Sequence, residues 1–203
     1  MIPPDLPAAL KAMLEARLHG QSRQDTAQRA ARISQSYRGG GHSGGIATEA
    51  DALAYAVVRM PATYAAVAAC LNVLTGQRPD FAPNTLLDVG AGPGTASFAA
   101  ADAFASLTSF AALDANPALR ALALALAKES GRLQSLAYTL GPVRTQIAQA
   151  EPADLVIASY MIGELSDAER TTCVEALWAR TRDTLVIVEP GTPAGYARII
   201  AAR

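Results

Sequence analysis

The sequence predicts an α/β protein, a parallel sheet covered by helices on both faces and preceded by a helical segment. Three observations lead there. After residue 82, short apolar runs alternate with helical stretches, and two of the runs (153–159 and 184–189) are continuously apolar, as strands buried on both faces are. Before residue 20, leucines recur every four positions, which is helical spacing. Between the two regions a glycine-rich turn follows the first apolar run, at the strand ends where such sheets bind ligands.

The helical segment reads in order. Asp5 is placed to cap a helix carrying Leu6, Leu10, Leu14 and Leu18, which Gly20 stops. Ser22 then caps a second, polar helix running to about Tyr37. Residues 39–45, Gly-Gly-Gly-His-Ser-Gly-Gly, read as a flexible loop with His42 in solvent. Thr48 and Asp51 form a capping pattern for a third helix through Leu53, Ala56 and Val57. Pro61 is expected to end or kink that helix, or to open a further one over 62–74. Strands follow at 85–90, 109–114, weakly at 134–140, and at 153–159 and 184–189. The helices between them run to about 104, over 117–128 and over 166–179.

Composition bounds the class. The 203 residues suit one domain with an appendage, divided as a helical subdomain over 1–78 and a ligand-binding domain over 79–203. With 17 basic and 18 acidic residues the net charge is −1, which excludes a strongly basic nucleic-acid coat protein. The longest uncharged run, 60–77, contains Pro61, Asn72, Thr75 and Gly76, so no membrane span is expected. The start, Met-Ile-Pro-Pro-Asp, has no secretory pattern. Cys70 and Cys173, with only His19 and His42 beside them, give no metal site. A soluble, cytoplasmic protein is expected. Charge is uneven, with eight basic against five acidic residues in 1–78 and nine against thirteen in 79–203. That asymmetry permits an RNA-facing surface at Arg29, Arg32 and Arg38, while the plainer reading of the same signal, and the one it favours alone, is a solvated helical face. Arg59, Thr63 and Tyr64 stand among small apolar residues and are expected to face something polar, with Arg59 and Tyr64 as substrate contacts, or with Tyr64 simply packed.

The chemistry concentrates in Leu-Asp-Val-Gly-Ala-Gly-Pro-Gly at 87–94. Gly90, Gly92 and Gly94 let the backbone turn sharply and approach a ligand closely around Ala91. Thr95 breaks the dinucleotide G-x-G-x-x-G spacing, and Asp88 would repel a pyrophosphate but can hold an ammonium, so a nicotinamide enzyme is disfavoured. Asp114, 24 residues after Gly90, is placed to accept both ribose hydroxyls of a nucleoside, with Ala115 beside it. A nucleoside with an ammonium and no phosphate is S-adenosylmethionine. Ser159 and Tyr160, after the fourth strand, complete the predicted cofactor site.

These residues resemble a Rossmann-like class I S-adenosylmethionine-dependent methyltransferase over roughly 80–203. Ala-Tyr-Ala-Val-Val-Arg-Met-Pro-Ala-Thr-Tyr-Ala-Ala-Val (54–67), Ala-Ser-Tyr-Met-Ile-Gly-Glu-Leu (158–165) and Val-Glu-Pro-Gly-Thr-Pro-Ala-Gly-Tyr (188–196) are more specific. They are similar to the methyltransferase-like family associated with the mitochondrial and bacterial small ribosomal subunit, whose members include assembly factors and proteins labelled rRNA methylases. The resemblance implies small-subunit rRNA or the ribosome as partner, with rRNA methylation as the activity. A non-catalytic assembly factor holding the cofactor structurally is the alternative. Relatives continue into a cysteine-bearing region that ligates an iron–sulfur cluster. Cys70 and Cys173 do not match it and the final strands of the sheet are missing, so the chain reads as truncated, with no cluster of its own. The amino-methylating Asn/Asp-Pro-Pro-aromatic turn is replaced by Ser159-Tyr160-Met161-Ile162. Tyr160 is a candidate stacking group and Glu189 a candidate base, though Glu189 could equally fix its loop; Glu164 is expected to cap the following helix.

Overall fold

The computed structural model describes residues 1–38 and 45–202, without the side chains of 37 and 38, so the loop at 39–44, His42 and the Arg38 side chain lie outside the described residues. Three helices come first: α1 (Ala8–Leu18), α2 (Arg23–Arg38) and α3 (Glu49–Gln77). The rest alternates as β1 (Thr85–Val89), α4 (Thr95–Ala103), β2 (Ser109–Asp114), α5 (Pro117–Glu129), β3 (Ala137–Leu140), α6 (Val143–Ile147), β4 (Ala153–Ser159), α7 (Asp167–Ala179), β5 (Thr181–Val188) and α8 (Pro193–Ala201). The strands form one all-parallel sheet in the order β3-β2-β1-β4-β5. This is the predicted Rossmann-like α/β architecture, with β1 and β4 at the switch point.

Alternation along the central strands divides the core into two layers. Leu86, Leu155 and Ile157 point toward α3, α4 and α5. Leu87, Val156 and Ala158 point to the opposite face, with Ile147, Cys173 and Leu177 of α6 and α7. Leu10, Ile33, Met60 and Tyr64 join Phe98, Leu119 and Ile157 in the first cluster, so the helical segment shares its core with the sheet.

Two helix boundaries differ from the sequence reading. Pro7, not Asp5, is the residue before α1; its fixed φ of −52° starts the helix and pushes Leu6 out of the helical region. Pro61 lies inside α3, a single helix of 29 residues. Its ring removes one helical hydrogen bond, at a cost of about 3 kcal/mol. Continuity keeps Ala56, Met60, Tyr64, Val67, Ala68 and Leu71 buried along one stripe, with Pro61 itself exposed. By length and composition α3 could cross a membrane, with mean hydropathy 1.5 over its most apolar stretch. In the fold it packs against α2, α4 and α5. The Thr48–Asp51 capping box is present, and the buried Asp51 also pairs Arg29 at 2.9 Å and Arg32 at 2.6 Å, joining α2 to α3.

Tyr64 is 1 % exposed and donates its hydroxyl to Asp102 on α4 at 2.6 Å. It is a packing residue. Tyr64→Phe should lower stability by about 1 kcal/mol in urea unfolding, and Tyr64→Ala by about 3–5 kcal/mol, as a core cavity opens. Equal losses in the two variants would mean that the ring contributes nothing beyond its hydroxyl.

Candidate functional site

A cavity of about 700 Å³ opens at the C-terminal ends of β1, β2 and β4. One end is walled by Gly90, Ala91, Gly92, Asp114, Ala115, Leu119 and Val143, and the far end by α2, α3, the turn after β4 and α8. Gly90, Gly92 and Gly94 all have positive φ, at 69°, 55° and 84°. Gly90 is the most constrained: a Cβ there would lie 2.7 Å from the Met161 Cβ. The first two glycines border the cavity; Gly94 instead forms the residue before α4.

Asp114 is 8 % exposed and lines the cavity. One oxygen accepts from Gly92 N at 2.9 Å and the other from Asn116 N at 2.8 Å. Burial pushes its pKa up, against these two hydrogen bonds. Capping of α5 falls to Asn116, which accepts from Ala118 N and Leu119 N and donates to Ile46 O at 2.9 Å.

Asp88 has a different place from the one the sequence suggested. It is fully buried and does not line the cavity. Its Oδ2 accepts from Ser97 N at 3.0 Å and Ser97 Oγ at 2.7 Å, holding the first turn of α4 beneath the glycine loop. Its Oδ1 has no hydrogen-bond partner among the described residues. Burial pushes Asp88 up to about 6, with Asp114 adding like charge and the Ser97 bonds opposing. The Tyr138 hydroxyl completes this layer by donating to Gly92 O at 2.7 Å.

At the far end, Ser159 and Tyr160 line the cavity. Tyr160 is the one non-glycine with positive φ (57°) among the described residues, a conformation costing on the order of 1–3 kcal/mol. It is held by its N–H to Val188 O at 2.8 Å. Burial pushes its hydroxyl pKa up and Arg59 pulls it back. Glu189 lines the cavity with its side chain 1 % exposed, paired to Arg198 of α8 at 2.8 Å and accepting from Gly163 N at 3.3 Å. The loop-fixing role is therefore met. Glu164 also faces the cavity, and Ser166 with Glu169, not Glu164, caps α7. Of the predicted substrate residues whose side chains are described, only Arg59 reaches the cavity; Arg29 and Arg32 are on Asp51, and Tyr64 is in the core. The sequence reading missed Ser34, Tyr55, Met161 and Arg198. For Tyr55 a signal existed, since Tyr55, Arg59 and Thr63 recur every four residues.

The Asp88 proton gives a pH test. A folded pKa of about 6 against 3.8 for the unexposed-to-burial reference means the folded state binds the proton more tightly. Its stabilising effect is complete below about pH 4 and is lost as pH rises toward 6. Between those values the wild type should lose roughly 3 kcal/mol relative to Asp88→Asn in urea unfolding. Parallel pH courses for the two proteins would assign the proton elsewhere.

Known proteins place this geometry. Among solved structures, a protein described as an S-adenosylmethionine-dependent methyltransferase from Methanococcus maripaludis aligns with TM-score 0.57 at 16% identity, covering 75% of this chain and 69% of that one. A protein described as an O-methyltransferase from Nostoc punctiforme PCC 73102 aligns with TM-score 0.55 at 14% identity, covering 75% and 47%. These likenesses are of fold, and the fold is that of the class I methyltransferases. The human mitochondrial ribosome assembly protein METTL17 is 34% identical over 161 residues, 77% of this chain and 35% of the human protein. The chain thus spans about a third of that relative's length. The expected cytoplasmic location is overturned, because both this relative and the matching family model are mitochondrial. That model, described as Mitochondrial small ribosomal subunit Rsm22, matches residues 49–203, from the start of α3 onward, and the chain belongs to this family.

Proposed function

We propose that this protein binds S-adenosylmethionine in the cavity and acts on the small ribosomal subunit, with rRNA methylation as its activity. The carrying observation is the cavity itself, with side-chain-free glycines on one wall and the buried Asp114 carboxylate on the next. The residues fit the cofactor. Asp114 keeps lone pairs for two ribose hydroxyls while its bonds to Gly92 and Asn116 fix its orientation. Ala115, Leu119 and Val143 supply small and apolar surface for a flat base. Thr95 stands outside the dinucleotide G-x-G-x-x-G spacing, which disfavours a dinucleotide.

When bound, the cofactor supplies an electrophilic methyl group on a sulfonium. The chain's part is to align an acceptor with it and exclude water, work that requires no strong base when the nucleophile is already reactive. Tyr160, held in its strained turn, offers a ring for an acceptor base to stack on. The rRNA-facing surface is the flank of α2 near Arg32, whose side chain is 61% exposed even while pairing Asp51. Support for the ribosomal partner comes from the family and from the human assembly relative. One observation favours the non-catalytic reading, an assembly factor that holds the cofactor as a structural element. Glu189, the candidate base, is neutralised by Arg198.

Calorimetry with S-adenosylmethionine should show binding to the wild type and a roughly ten- to hundredfold weaker affinity for Asp114→Ala, from loss of charge-assisted hydrogen bonds. Unchanged affinity in the variant, or tighter binding of NAD than of S-adenosylmethionine by the wild type, contradicts the proposal.

A further inference from the structure

The polar stripe of α3 points to a ligand charge that the nucleoside end of the cavity does not answer. Tyr55, Arg59 and Thr63 lie four residues apart and all line the cavity, while the adjacent stripe Ala56, Met60 and Tyr64 is buried in the core. An otherwise apolar helix thus presents a column of hydrogen-bond donors to the cavity. Arg59 forms no ion pair with any described residue. The other cavity guanidinium, Arg198, is held by Glu189.

Charge complementarity selects the ligand group. Among the described residues, Arg59, Asp114, Glu164, Glu189 and Arg198 bring charge to the cavity wall. Glu189 and Arg198 cancel one another. S-adenosylmethionine carries two positive charges, sulfonium and ammonium, and one negative, its carboxylate. Arg59 stands on α3, apart from Asp114 at the end of β2, and the one anionic group of the cofactor matches this guanidinium.

We propose that Arg59, flanked by Thr63, binds the α-carboxylate of the cofactor's amino-acid tail, so that α3 reads the tail while the sheet reads the nucleoside. This inference rests on the cofactor reading above and adds a specificity element to it. The same guanidinium chemistry would suit a phosphate of an RNA acceptor, and the test separates the two. Arg59 is exposed on a helix and alanine is the best helix former, so Arg59→Ala folds.

The experiment is calorimetry of wild type, Arg59→Ala and Arg59→Lys with two probes. S-adenosylhomocysteine carries the tail; 5′-methylthioadenosine lacks it. Arg59→Ala should bind S-adenosylhomocysteine roughly ten- to a hundredfold more weakly and 5′-methylthioadenosine unchanged, with Arg59→Lys recovering part of the loss. Equal weakening of both probes would overturn the assignment, because a merely structural residue does not distinguish tail from nucleoside. Unchanged affinity for both, together with loss of binding to an RNA oligonucleotide, would overturn it in favour of an acceptor phosphate. A wild type that binds neither probe would instead remove the cofactor reading on which it rests.

Discussion

The carboxylate of Asp114 is the joint on which the site depends. Through Gly92 N it fixes the glycine loop after β1, and through Asn116 N it fixes the turn after β2. Asn116 in turn caps α5 and, through Ile46 O, ties down the chain just before α3. One buried acid therefore sets the relation among two strand ends, two helix starts and the helical segment. Each of these bonds leaves lone pairs on Asp114 facing the cavity. The structural bonds of this group thus leave it able to accept from a ligand in the cavity.

A second acid beneath the loop makes this arrangement costly. Asp88 and Asp114 are both buried, and each is driven toward its neutral form by burial, with like-charge repulsion adding to the effect on Asp88. Such a region is stabilised by anything that brings positive charge near it. The N-terminal turn of α4 does so from below, through Ser97 N. A cationic ligand in the cavity would do so from above. Of the two acids, Asp114 lines the cavity, whereas Asp88 serves the start of α4.

The fold was legible because its signals are local. Continuous apolar runs gave Ala153–Ser159 and Ser109–Asp114 to the residue, and the glycine turn located the cavity. Pro61 was misleading because propensity speaks for one residue, whereas the buried stripe through Met60 and Tyr64 speaks for the whole of α3. Asp88 was misread for a related reason. Spacing placed it beside the glycines, but strand alternation and the first turn of α4 decide which way a carboxylate faces, and that is a tertiary fact. Arg29 and Arg32 read as a basic surface because their partner, Asp51, lies about twenty residues away and is buried. The short α6, the turn at 162–164 and α8 carried no period long enough to detect, so Arg198 went unseen.

Arg198 changes what the far end of the cavity can do. Had Glu189 stood alone, a deprotonating role would have followed from its position after β5. Instead its charge is balanced by Arg198, and its other oxygen accepts from Gly163 N in the turn after β4. The pair joins α8, β5 and that turn, and so braces the strained backbone of Tyr160 from the neighbouring strand. A neutralised pair is a poor proton acceptor but a good clamp. On the reading proposed above, the part left to this end is alignment, with Tyr160 held in a fixed geometry. A methyl acceptor whose lone pair is already free would need nothing more, whereas one that must first lose a proton would need a base other than the Arg198-paired Glu189. Both readings proposed above, catalysis and assembly, draw on that rigidity rather than on a proton acceptor at Glu189.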